Sequence, residues 1–190
     1  SGIWQTVWLE SVPENYIKNI RLTPDFDEKC LLWHIDADAP AGAHVTVRAA
    51  GAVIAEGRAD EIGDGVSAVP AECFHPWSPE DPYLYDVEIT LGDDRVTSYF
   101  GMRKFSTVEH KGRRVLALNN EPYFQTGLLD QGYWSDGLYT PPSDVAMIYD
   151  IETAKRMGFN MLRKHIKIEP LRWYYHCDRL GMLVWQDMVS

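Results

Sequence analysis

The stretch RKHIKIEPLRWYYHCDRLGMLVWQDM, residues 163–188, constrains the fold most, because it spells strand, helix and strand in that order. The strand comes first, an apolar-rich run over 161–166 broken by Arg163, Lys164 and His165. Pro170 can open a helix, since the first helical turn has no partner for the N–H that proline lacks. Leu171, Tyr174 and Cys177 recur at helical spacing, and Gly181 stands where a left-handed C-cap belongs. MLVW at 182–185 is apolar without alternation, the pattern of a parallel strand buried on both faces. Gln186 and Asp187 follow at its carboxyl end. The same rhythm starts earlier, with a strand over 124–129 and a helix from Ser143, a residue suited to an N-cap. Val145, Ile148, Ile151, Ala154 and Met157 would form that helix's apolar stripe, and Gly158 its C-cap. Strand, helix, strand, helix, strand specifies a parallel sheet with helices outside it.

The first hundred residues follow a different rule. Residues 3–9 and 16–22 alternate apolar and polar, and 30–35, 43–48, 53–55 and 83–91 add further candidate strands. PDFDE at 24–28, DADAPAG at 36–42 and IGDG at 62–65 supply turn chemistry between them. Residues 96–100 can pair back across Gly92-Asp93-Asp94 as a hairpin. Short strands at this spacing without a helix indicate an immunoglobulin-like β-sandwich over about 11–104. Beyond Phe105, residues 115–118, Asn119-Asn120 and 121–124 read as a small hairpin leading into the first parallel strand. The fold class is therefore mainly β plus α/β.

Composition narrows the function classes. A net charge of −10 over 190 residues excludes nucleic acid and anionic membranes as partners, since both require a basic face. No apolar run approaches the roughly 18–20 residues of a membrane span. SGIWQTVWLE, at the start, has neither the basic nor the long apolar region of a signal peptide. This leaves the compartment open, with the cytoplasm favoured. Cys30, Cys73 and Cys177 follow no CxxC spacing, so reduced thiols are the reading rather than a metal site or a disulfide framework. With seven Trp and ten Tyr the chain is rich in aromatics, which serve cores and sugar-stacking surfaces alike.

TGLLDQGYWSDGLYTPPSD, GFNMLRKHIKIEP, RWYYHCDRLGMLVWQDM, HPWSPEDPYLYDVEI, SYFGMRKF and the opening GIWQTVWLE together resemble glycoside hydrolase family 2. That family includes β-galactosidases, β-glucuronidases and β-mannosidases, and the likeness runs over essentially the whole chain. It implies that residues 1–10 are the last strand of a jelly-roll sugar-binding domain and that 11–104 form the sandwich. Residues 105–190 would be the first three strands and two helices of a (β/α)8 barrel, the chain being an internal fragment of a longer enzyme. Self-association through the open barrel segment is then expected.

A retaining glycosidase needs an acid for the leaving oxygen and a carboxylate to attack the anomeric carbon, roughly 5–5.5 Å apart. In family 2 both are glutamates on strands after the third, the acid/base in an Asn-Glu pair. Asn120-Glu121, the one such pair here, precedes the first barrel strand and reads as a turn. The resemblance thus places both catalytic groups beyond Ser190, with no metal and no cofactor in this span. What remains is substrate-binding rim at the carboxyl ends of strands, where barrel enzymes gather their sites.

The candidates there are Asp130, Trp134, Arg163, His165 and Asp187. By resemblance, Arg163 and His165 match the family's Arg and His that border the sugar, although the β-galactosidase pattern is Arg-x-x-His and here Lys164 alone intervenes. Asp187 falls where many members carry an acid, and carboxylates grip vicinal hydroxyls with two hydrogen bonds. Each has a structural alternative. Arg163 and Asp187 could pair across strand ends, and Asp130-Gln-Gly could be a turn. The loop Asp130 to Pro142 is thirteen residues against roughly 2–6 for a βα connection. Its Tyr133, Trp134 and Tyr139 could stack on a pyranose or pack within the loop. Trp77, Trp173, Tyr174 and Tyr175 read as core. A second class of function stays open, a non-catalytic sandwich that binds carbohydrate or a partner.

Overall fold

The computed structural model describes residue 3 and residues 5–189. Contacts divide the chain into two compact units. One comprises Glu10–Trp77 and Tyr83–Pro122, the other the described residues of Ser1–Leu9, Ser78–Pro82 and Tyr123–Ser190. The small hairpin beyond residue 104 thus shares contacts with the first unit up to Pro122.

The first unit is an antiparallel β-sandwich. One sheet joins β1 (Asn19–Asp25), β2 (Cys30–Asp36) and β5 (Asp64–Ala68) in the order β1-β2-β5. The other has β3 (His44–Ala49), β4 (Ala52–Arg58), β6 (Tyr85–Leu91) and β7 (Asp94–Phe100) in the order β4-β3-β6-β7. Alternation decides which side chains go in. Leu31, Trp33 and Ile35 of β2 share one core with Val45, Val47, Val87 and Ile89 of the other sheet. Polar atoms drawn into that core are satisfied. The Trp33 indole donates to Ser67 at 3.1 Å, and the Tyr85 hydroxyl donates to the Cys73 carbonyl and accepts from the His75 amide, both at 2.6 Å. Trp77 is wholly buried, as expected, with the Arg103 guanidinium 4.3 Å over its ring. A small sheet of β8 (Phe105–His110), β9 (Arg113–Leu118) and β10 (Glu121–Pro122) completes the unit.

The second unit holds β11 (Gly127–Asp130), α1 (Asp144–Arg156), β12 (Met161–Lys164), α2 (Leu171–Leu180) and β13 (Leu183–Gln186). All three strands are parallel, in the order β11-β12-β13. The helix boundaries follow the sequence signals. Ser143 accepts the Ala146 amide at 3.2 Å, and Gly181 ends α2 at φ 75°. Leu162 and Val184 face the helices and pack with Met147, Ile151, Ala154, Trp173 and Cys177. The opposite face of the sheet is open. It presents Leu129, Arg163 and Trp185 in one row, with Leu129 57% and Trp185 46% exposed.

Residue 3 and residues 5–10 form no strand, while Ser1, Gly2 and Trp4, the rest of the segment expected as a jelly-roll strand, lie outside the described residues. Several expectations for the sandwich and the helices are corrected. The strand expected over 16–22 starts at Asn19 and runs to Asp25, because the Asp25 carboxylate accepts the Asp27 and Glu28 amides at 3.1 and 3.0 Å and sets the turn later. Pro24 is tolerated because β1 is an edge strand. IGDG is not all turn. Gly65 lies within β5, where a Cβ would strike the Trp33 ring. The β8–β9 hairpin was not anticipated, although Lys111 and Gly112 both take the positive φ of a tight two-residue turn. In α1 the buried stripe is Met147, Ile151 and Ala154, whereas Val145 and Met157 point to solvent. Leu171 of α2 is likewise exposed, and Trp173, His176 and Cys177 turn inward.

Candidate functional site

The carboxyl ends of β11, β12 and β13 bring the candidate residues together on two levels. On the open face, Arg163 and Asp187 make a two-toothed ion pair, Nε to Oδ1 and Nη2 to Oδ2, each 3.0 Å. Planar guanidinium and carboxylate match in this geometry, which fixes both side chains more firmly than a single contact. Hydrogen bonding from Arg163 holds the Asp187 carboxyl below the usual range, and the same contact raises the Arg163 guanidinium. Beside them the His165 amide donates to the Asp130 carbonyl at 2.9 Å. The His165 ring nitrogen Nδ1 lies 3.2 Å from the Gln131 side-chain nitrogen.

On the helix side lies a cluster that sequence reasoning missed. Residues alternate along β12, so Lys164 shares its face with Leu162, toward the helices. It is only 1% exposed, and its ammonium sits 2.7 Å from Asp130 Oδ2, 2.9 Å from Glu169 Oε1 and 4.2 Å over the Trp173 ring. Lys167 is equally buried and also reaches Glu169 Oε1 at 2.9 Å. Two ammonium groups and two carboxylates leave the cluster neutral, the condition under which charges can be buried. Around it, Gln186 donates to the Lys167 carbonyl at 2.9 Å and accepts from the Tyr174 hydroxyl, which in turn receives the Glu169 amide at 3.1 Å. Burial pushes the Tyr174 phenol above its ordinary value.

Asp130 and Trp134 therefore occupy different positions from those a rim suggests. The Asp130 carboxylate accepts the Gly132 amide at 2.8 Å and pairs with Lys164, on the helix side of the sheet. Trp134 turns inward, packing against the helical core with its indole nitrogen shielded. The exposed aromatic of the loop is Tyr133, 63% accessible and edge-to-face with Tyr139 at 5.1 Å. Tyr133 also lines a groove of about 540 Å³ with Leu129, Asp130, Asp150 and Thr153. One sequence signal pointed to the cluster: a lysine at 164 breaks the apolar pattern on the buried side of a strand, and such a charge must have partners nearby.

The description "Glycosyl hydrolases family 2" matches residues 15–103. The chain is 26% identical to a β-galactosidase of Streptococcus thermophilus, over 96% of this chain and 19% of that protein. It is 29% identical to a β-galactosidase of Photobacterium profundum, over 97% of this chain and 20% of that protein. It thus spans about a fifth of the length of these curated relatives. Among solved structures, a β-D-glucuronidase of Dictyoglomus thermophilum superposes with a TM-score of 0.79 at 22% identity, covering 93% of this chain and 30% of that one. A Faecalibacterium prausnitzii β-glucuronidase gives 0.79 at 24%, covering 93% and 28%. At these identities the structural likeness speaks to the fold alone.

Proposed function

We propose, from the match of residues 15–103 to glycosyl hydrolases family 2, that the chain is part of a retaining exo-β-glycosidase of β-galactosidase-like type. In this reading β11, α1, β12, α2 and β13 are the first three strands and two helices of a (β/α)8 barrel that follows the sandwich in the chain. The observation that supports it most is the parallel strand–helix–strand–helix–strand unit following a family 2 sandwich, with Arg163 and Asp187 paired at the strand ends.

The chemistry divides between this chain and the rest of the enzyme. Two glutamates on later strands would act as acid/base and as nucleophile toward a terminal β-linked sugar. This chain would supply binding. Arg163 orients Asp187, whose carboxylate accepts sugar hydroxyls with its remaining lone pairs, and His165 borders the same sugar. Asp130 and Trp134 act behind the rim, by holding Lys164 and the loop. An exposed Tyr133 ring is the better stacking surface for the C–H face of a pyranose.

Nitrophenyl β-galactoside, β-glucuronide and β-mannoside assays test this in two forms of the protein. The longer coding sequence should hydrolyse one of them, and Asp187→Asn in it should lower kcat/KM about tenfold or more. The 190-residue chain alone should hydrolyse none, because in this reading both glutamates lie on barrel strands outside it. Turnover by the purified short chain would overturn the division of labour. Inactivity of the longer protein, with sugar retained by the isolated sandwich, would favour a non-catalytic binding module.

A further inference from the structure

The βα loop after β11 is held at both of its legs by one buried ammonium. Lys167 Nζ donates to the Gly132 carbonyl at 2.6 Å and to the Tyr139 carbonyl at 2.8 Å, and pairs with Glu169 Oε1 at 2.9 Å. Three acceptors match the three protons of an ammonium. The two carbonyls lie seven residues apart along the loop, so a single side chain closes it. Between them Trp134 and Leu138 exchange both backbone hydrogen bonds, at 2.8 and 3.0 Å, which makes the tip a miniature hairpin. Gly132 has φ 65°, and a Cβ there would run into Glu169 Oε1 and Lys167 Nζ, so the backbone approaches the clamp as closely as only glycine permits. The Lys167 ammonium also sits 4.9 Å over the Tyr139 ring, the partner of exposed Tyr133.

We propose that Lys167 is a positioning residue: it locks the 131–142 loop in one shape and so presents Tyr133, on the Tyr139 edge, as a preformed wall of the sugar site. The proposal rests on the glycosidase reading above for the identity of the ligand, and on the clamp geometry alone for the shape of the loop. A long loop on this face could instead be a lid that orders only when substrate binds. The buried clamp argues against that, because opening the loop would break two charge-assisted hydrogen bonds, from Lys167 to the Gly132 and Tyr139 carbonyls, that are already made without substrate. Preorganisation places the ordering cost in folding rather than in binding, so its loss should show as weaker substrate binding with little change in the chemical step.

Two measurements on Lys167→Met separate the parts. In the 190-residue chain, hydrogen exchange at the Trp134 and Leu138 amides should accelerate about tenfold or more relative to Leu162 of β12. A merely structural lysine would instead lower stability throughout, with loop and strand amides moving together, and that result overturns the clamp. In the longer enzyme, nitrophenyl β-glycoside kinetics should give KM raised about tenfold with kcat within about twofold. A loosened loop with KM unchanged overturns the positioning role. Failure of the unmodified longer enzyme to turn over any such glycoside counts against the glycosidase reading, and the exchange result still decides the clamp. Should Lys167→Met not fold, exchange in the unmodified chain decides: loop amides that open with the same denaturant dependence as Leu162 support the lock, and denaturant-independent local opening overturns it.

Discussion

Glu169→Gln tests the buried charge cluster most directly, because it removes charge and almost no volume. The Glu169 side chain is 2% exposed, and its Oε1 is within 2.9 Å of both the Lys164 and the Lys167 ammonium. After the change, two buried ammonium groups are left with the Asp130 carboxylate, which pairs with Lys164 at 2.7 Å and is 28% exposed. No cavity opens, so the loss is electrostatic, and removing one member of a buried pair costs about 3–5 kcal/mol. Lys164→Met should cost about 3 kcal/mol, at the lower end of that range, since it leaves Glu169 with Lys167 and lets Asp130 hydrate. The double variant should cost less than the sum by about 0.5–3 kcal/mol, since each change removes the charge that the other strands. Urea-dependent hydrogen exchange at Leu162 and Val184, both packed in the helical core, reads the stability of this unit separately from the sandwich. A cost under about 1 kcal/mol for Glu169→Gln would mean that the cluster is hydrated, and strict additivity would mean that the charges do not interact.

Arg163→Gln should shift the acid behaviour of Asp187. With its pKa depressed by Arg163, Asp187 adds stability that is complete above the ordinary carboxylate pKa of about 3.9 and is lost as pH falls through the lower native value. Carboxyl-carbon NMR on the variant should find that titration moved up toward the ordinary range, and an unmoved titration would refute the pairing. Gly65→Ala should destabilise the sandwich by about 1–3 kcal/mol in urea melts, because the added Cβ meets the Trp33 ring. The open face of the parallel sheet, with Leu129 and Trp185 exposed, should make the isolated chain self-associate. Sedimentation should therefore give concentration-dependent mass, and a clean monomer up to high concentration would refute it.

Most of the fold was legible because two different periods were written in the chain. Inward positions of β2 and β6 recur every second residue, and the helical unit announces itself by Ser143, Pro170 and Gly181 at element ends. The failures have tertiary causes. Gly65 looks like a turn residue in sequence but is small because Trp33 lies against it, a fact set by a strand some thirty residues away. Val145 and Met157 satisfy the helical stripe numerically, yet α1 buries only the narrower arc through Met147, Ile151 and Ala154.

The site was legible in its outer layer and hidden in its inner one, and the reason lies in how strand residues alternate. Arg163 and His165 attract notice because polar groups at strand ends read as function, and Arg163 does point to the open face with Asp187. Lys164, between them, is placed by the same alternation on the helix side, where an unpaired charge would be prohibitively costly. Its presence there already requires carboxylates within reach. Asp130 lies directly across on β11, and Glu169 is five residues on, past the bend where Ile166 takes φ 44°. Lys167 then follows from the pair Asp130 and Glu169, since two carboxylates beside Lys164 alone would leave a buried negative charge and a second ammonium makes the cluster neutral. Asp130 thus has a structural task before any functional one. In the proposed glycosidase, its replacement by Asn should weaken sugar binding only through the shape of the loop it shares with Gly132, whereas Asp187→Asn should act on the substrate directly. Comparing KM and loop exchange in the two variants separates these routes: loop amides should accelerate in Asp130→Asn and stay protected in Asp187→Asn. Equal loop behaviour in both would refute the two-level organisation of the site.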